Sequence, residues 1–153
     1  MAHILTNSGL SAMMSVFPAT ASAQPPVLWM GLFGSQTSGT VPSRSAIGGA
    51  VPSGYTETPM WTAQRQAISG NQWGAPVISG NGIAMTARQV TFPTASGAGQ
   101  SANGFFLSTK PSAVAGETIL FFSNFDDLTA LAIASGDVVR VQPALQFNVS
   151  GGA

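Results

Sequence analysis

Cysteine is absent from these 153 residues. That excludes disulfides, thiolate metal sites and cysteine nucleophiles. Charge is scarce as well. Five Lys and Arg with five Asp and Glu make up 7% of the chain, for a net charge of zero, against about 25% charged residues in an ordinary soluble domain. Binding nucleic acid through its phosphates needs a basic patch, and five scattered cations do not build one, so no nucleic-acid partner is expected. Long hydrophobic runs are missing too. The strongest, "VLWMGLFG", falls far short of the about 20 residues of a membrane-spanning helix, and no membrane partner is expected. "SVFPATASAQPP" ends like a cleavage site, but no Lys or Arg precedes it and Thr6, Asn7, Ser8 and Gly9 interrupt any apolar stretch. It does not read as a secretory leader.

The chemistry-bearing residues are equally sparse. The single histidine, His3, reads as a solvated or interface side chain, because a catalytic imidazole needs a rigid surround. Metal sites built on several His or Cys are excluded, and no cofactor is expected. The carboxylates are Glu57, Glu117, Asp126, Asp127 and Asp137. A glycosidase needs two of them facing across a cleft. Glu117 and Asp137 each follow a glycine, where turn chemistry explains them, and Asp126-Asp127 reads as a loop tip. The glycines of "GAGQSANG" have the wrong spacing for a dinucleotide fingerprint and no helix follows. No catalytic residues are assigned, and the chain is not expected to be an enzyme.

What is present is a one-domain length, 44% hydrophobic residues, 18 glycines and 10 prolines. Ser, Thr, Asn, Gln and Gly must solubilise the surface. Such a surface packs against copies of itself with few ions to desolvate, which suggests an assembly. "NSGLSAMMSVF", residues 7–17, predicts a short helix: Leu10, Met14 and Phe17 share a face, Asn7 or Ser8 can cap it, and Pro18 stops it. Residues 1–20 would form this arm and helix, and 21–153 a single β domain. "VLWMGLF" is apolar at both parities and predicts a central strand covered on both faces. A loop follows from Gly34 to Gly54, long enough to be a contact arm.

Further strands are expected at "MWTAQRQAI", in "VISGNGIAMTARQVTFP" with a tight turn at Gly80-Asn81-Gly82, and at "FFLSTK", "ETILFFSNF" and "LTALAIA". In "VVRVQPALQFNV", Val139, Val141, Leu145, Phe147 and Val149 hold one parity, while Arg140, Gln142, Gln146 and Asn148 hold the other. Pro143 implies a bulge or an edge. "SGD" before it reads as a turn in which Asp137 bonds backbone. About eight short strands separated by turn signals predict an all-β fold, an antiparallel β-sandwich or jelly roll with one short N-terminal helix. Among the aromatics, Trp29 is expected in the core and Trp61 on a sheet face. An exposed pair of Trp61 and Trp73 would instead suit stacking on a glycan.

The order of "VLWMGLF" (Val27 to Phe33), "TFPTA" (Thr91 to Ala95), "GFFL" (Gly104 to Leu107) and "GDVVRV" (Gly136 to Val141) resembles a family of small bacteriophage virion proteins, the tail-fibre-like and head-decoration proteins. The middle section, 34–75, is longer than the family pattern. The resemblance implies a β-sandwich present in many symmetric copies on a phage particle. The squat single domain favours a capsid cement or decoration protein on the outer capsid surface. It would bind the major capsid protein and itself, as a trimer or a dimer. The contact candidates under that implication are His3, Ile4 and Leu5 in the N-terminal segment and Val41, Arg44, Ile47 and Val51 in the long loop. The alternative is a tail-associated host-recognition module contacting glycan through Trp61 and Trp73.

Overall fold

The computed structural model describes residues 3–5, 27–35, 55–58, 65–75, 77–79, 82–96, 99–125 and 130–148. These residues form β-strands, every strand pairing is antiparallel, and the one helical turn among them is a 3-10 turn at Gly70–Gln72. The helix predicted at 7–17 lies outside the described residues. No helix among the described residues is long and apolar enough to cross a membrane.

The strands are β1 (His3–Leu5), β2 (Leu28–Ser35), β3 (Tyr55–Glu57), β4 (Gln66–Ile68), β5 (Val77–Ser79), β6 (Gly82–Thr86) and β7 (Val90–Thr91). They continue with β8 (Gln100–Ala102), β9 (Gly104–Ser108), β10 (Ile119–Asn124), β11 (Leu131–Ile133), β12 (Arg140–Val141) and β13 (Ala144–Asn148). The main sheet runs β1-β10-β9-β2-β3, with β4 also on β2. Three smaller sheets are β11-β8, β12-β7 and β13-β6-β5.

As its two apolar parities predict, β2 lies inside the main sheet with a hydrophobic cluster on each face. Met30 and Leu32 join Phe105, Leu107 and Phe121 in the larger cluster, and Phe33 joins Phe106, Ile119 and Phe122 in the smaller. The register of β10 shifts between Ile119 and Phe121. That irregularity lets Ile119 and Phe122, three positions apart, serve the same cluster. Phe33 and Phe122 stack with centroids 3.9 Å apart, and Tyr55 meets both edge-on.

Of the strand expected at 60–68, residues 60–64 lie outside the described residues. The segment at 60–68 is a strand only from Gln66 among the described residues. On the same edge of β2, Phe33 faces Glu57 and Met30 faces Gln66. Three steps along β2 (33 − 30) thus answer nine along the partner (66 − 57). Likewise Gly104 faces Asn124 and Ala102 faces Leu131, two steps against seven. The chain bends at Asn103, whose N–H donates to the Phe33 carbonyl at 2.7 Å and whose carbonyl accepts the Phe125 N–H at 2.9 Å.

The closing segment, expected as one strand with a bulge or an edge at Pro143, is two strands, each at the edge of its sheet. At buried Pro143 it divides, β12 pairing with β7 and β13 with β6. Proline has no N–H for a ladder, and the Pro143 carbonyl instead accepts the Ala87 N–H at 2.9 Å. The parity expected around it holds, with Val139 buried and Arg140 and Gln142 exposed. Residues Ala87, Val90, Phe92, Ala95 and Val139 of this paired stretch enter the same large cluster as the main sheet. The β5–β6 hairpin also matches expectation, Ser79 facing Gly82 with two residues between.

The turn before β12 is the one read in the sequence. Gly136 has φ +95°, and the Asp137 carboxylate accepts the Ala134 N–H at 2.8 Å. No atom lies within 4 Å of an ideal Cβ at Gly136, so its need for glycine is conformational. Gly136→Ala is therefore expected to cost about 1–2 kcal/mol, and Asp137→Ala about 0.5–1 kcal/mol for its one exposed bond. Urea denaturation measures both. Equal stability of Gly136→Ala and the parent protein would contradict the left-handed turn.

Candidate functional site

The densest polar constellation among the described residues lies where β3 gives way to β4. Glu57 ends β3, and Arg65 immediately precedes β4. The Arg65 guanidinium forms a two-pronged contact with Glu57, Nε to Oε1 and Nη2 to Oε2, each at 2.8 Å. Its third nitrogen, Nη1, donates to Glu117 Oε1 at 2.6 Å, and to Ser108 Oγ and the Lys110 carbonyl at 3.1 Å each. Ser108 Oγ donates to Glu117 Oε1 at 3.0 Å and accepts the Lys110 N–H at 3.1 Å. The guanidinium carbon lies 4.9 Å from the centre of the Phe106 ring, a cation–π distance.

Local backbone chemistry builds this arrangement. Gly116, at φ +77°, turns the chain so that the Glu117 N–H reaches the Val114 carbonyl and its side chain turns inward. Ser108 is the last residue of β9 and shares the face of Phe106 by strand alternation. Gly31 on β2 leaves the room. A Cβ there would collide with Phe106 and approach Glu57 Oε1 to 3.1 Å.

Side-chain exposure is 0% for Arg65, 1% for Glu117 and 11% for Glu57. Burial pulls the Arg65 pKa down, but hydrogen bonds and attraction from Glu57 and Glu117 outweigh it, so it lies above the ordinary arginine value. A raised folded pKa stabilises wherever the unfolded arginine is already charged. The contribution therefore spans all ordinary pH and fades only in strong alkali. Two carboxylates around one cation, each held by defined donors, form a crosslink between β3, β4, β9 and the 109–118 turn.

The sequence-derived candidates that are described fall elsewhere. His3, Ile4 and Leu5 form β1, opposite Ser123, Phe122 and Phe121 of β10. Val41, Arg44, Ile47, Val51 and Trp61 lie outside the described residues, as do Asp126 and Asp127. Trp73 is half-buried, packs against the large cluster and bridges to Ala87. Trp29, expected in the core, is half-buried on β2. Glu117 does enter from a turn, as expected, but its carboxylate serves Arg65 and not the backbone.

Arg65 was missed. Its signal was its rarity: one of five cations in the chain, set directly before a strand that ends in buried Ile68. Among the described residues, no three His, Cys, Asp or Glu side chains gather to hold a metal. No protein-family model, curated protein or solved structure matches the chain.

Proposed function

We propose that this chain is a β-sandwich structural protein of a phage particle, a cement or decoration protein that binds the outer capsid surface as a symmetric homo-oligomer. The sandwich is supported by the large cluster, which draws Met30, Leu32, Phe105 and Phe121 from one sheet and Val90, Phe92 and Val139 from the segments that pair beside it.

The observation that carries the function is where the scarce charges go. Of the seven described charged side chains, Glu57, Arg65 and Glu117 are consumed in the buried triad. Arg88, Lys110, Asp137 and Arg140 are exposed, and the Asp137 carboxylate already holds the Ala134 N–H. The rest of the described surface carries hydroxyls and amides, as at Thr86, Gln89, Thr91 and Gln142, beside exposed Val27, Val77, Val114, Leu131 and Val138. Such a surface desolvates at low cost against a protein lattice. A protein that binds the assembled shell and not its loose precursors stabilises the shell by mass action. Several weak contacts per oligomer multiply through avidity.

Electron cryo-microscopy of the intact particle tests this directly. Density in a regular array over the capsid lattice is expected, and particles without the protein should break at lower temperature than complete ones. Density confined to the tail would sink the capsid assignment and favour the host-recognition alternative. Glycan binding lost on Trp73→Ala would then support that alternative.

A further inference from the structure

We propose that β1 is an exchangeable strand, and that the outer edge of β10 takes up His3–Leu5 from a second copy of this chain. The inference rests on the topology of the main sheet and stands apart from any placement on a virion. β10 is a core strand: Phe121 belongs to one hydrophobic cluster and Phe122 to the other, and both are buried. Its inner edge is paired to β9, and β1 covers the other at three positions, Phe121 to Ser123. β1 thus adds to a strand edge that lies beside large apolar side chains, the kind of edge on which another strand can pair.

The link between β1 and β2 is much longer than the fold requires. Three strand spacings separate them in the order β1-β10-β9-β2, a distance of about 14 Å. Leu5 and Leu28 stand near the same end of the sheet, because β1 and β2 run in opposite directions and the register places Leu5 opposite Phe121, Phe121 opposite Leu107, and Leu107 opposite Met30. Residues 6–27 connect them, 22 residues by count (27 − 6 + 1), with an extended reach of about 70 Å. That surplus lets the same three-residue strand reach β10 of a neighbour. The contacts made in the two arrangements are identical, so exchange sacrifices no pairing and is decided by local concentration.

A disulfide reporter tests this in a chain with no cysteine of its own. His3 and Ser123 face each other in the register. Two differently tagged full-length chains, one carrying His3→Cys and the other Ser123→Cys, are refolded together and oxidised. A disulfide joining the two chains at 3 and 123 is expected, in a yield that rises with protein concentration. A chain carrying both substitutions should close on itself when dilute.

Closure of that double variant with no link between the two single variants, even at the highest soluble concentration, overturns the exchange. Failure of the double variant to close overturns the pairing beneath it. Sedimentation of the unsubstituted protein needs no cysteine. Concentration-dependent association is expected for the full chain and should be lost on removing residues 1–5. A full chain that stays monomeric at every concentration overturns the proposal.

Discussion

Arg65→Met is expected to destabilise the protein by about 3–5 kcal/mol, the usual consequence of removing one partner from a buried ionic group. The substitution keeps volume and deletes the cation, leaving the Glu117 carboxylate, 1% exposed, without its 2.6 Å donor. Arg65→Lys should recover little. One ammonium cannot reproduce the fork to Glu57 and the bonds to Glu117, Ser108 and Lys110 together. The informative comparison is Arg65→Met combined with Glu57→Leu and Glu117→Met. Replacing a whole buried ionic cluster by apolar groups is often neutral or stabilising, so the triple variant should regain most of the loss. It should fall short of full recovery because the Lys110 carbonyl and Ser108 hydroxyl lose partners, each worth about 1–3 kcal/mol when buried. Guanidinium unfolding of the four proteins measures this. A single Arg65→Met variant within 1 kcal/mol of the parent, roughly the worth of a surface ion pair, would contradict the enclosed triad.

Gly104→Ala is the second large effect. An added Cβ would collide with the Ser123 carbonyl and lie 2.7 Å from Phe33 Cζ and 2.8 Å from Asn124 Cα. Ser123 and Asn124 are backbone neighbours on β10, so relief requires separating β9 from β10, the pair at the centre of the main sheet. Overpacking in a core costs about 1–3 kcal/mol where side chains can give way. Here backbone must move, and about 3 kcal/mol or more is expected. Gly31→Ala is a useful contrast, since the colliding group is the Phe106 side chain. Phe106→Leu in the same molecule should relieve part of that cost, whereas no single side-chain truncation should rescue Gly104→Ala. Thermal unfolding of these variants decides it. Rescue of Gly104→Ala by Phe33→Leu would place the obstruction in the side chain and not the backbone.

The parts of the fold legible in the sequence are those where one residue's neighbours decide its state. "VLWMGLF" is apolar at both parities, and that suffices to bury a strand on two faces. Gly136-Asp137 carries its own turn chemistry. Val139, Arg140, Val141 and Gln142 alternate, and their burial alternates with them. Hidden from such reasoning are events that depend on distant partners. Nothing local in "HIL" marks it for β10, 120 positions away by register (123 − 3).

Nothing in the composition of "MWTAQRQAI" separates Gln66–Ile68, which pair with β2, from the residues before them, so it reads as one strand. Pro143 announces a break but not that the two halves join different sheets. The triad is the clearest case. Glu117 has an adequate local explanation in its turn, and Arg65 has one as a polar residue within an expected strand. Their meeting across 52 positions (117 − 65) is visible only in three dimensions. With so few charges in the chain, each one beside an apolar strand was a cue that local rules undervalue.

That same long separation bears on the time course of folding. The triad cannot form until β3, β4, β9 and the 109–118 turn have all arrived, and closing such loops is slow. Two carboxylates and a guanidinium must also shed their water at that moment. Their mutual attraction is expected to be gained after the rate-limiting step, and to govern how long the finished molecule lasts. In a chevron analysis, Arg65→Met should steepen its effect on the unfolding arm and leave the refolding arm nearly unchanged. The buried ions then act as a late-setting latch, giving persistence to a fold whose entry rate is set by its strands.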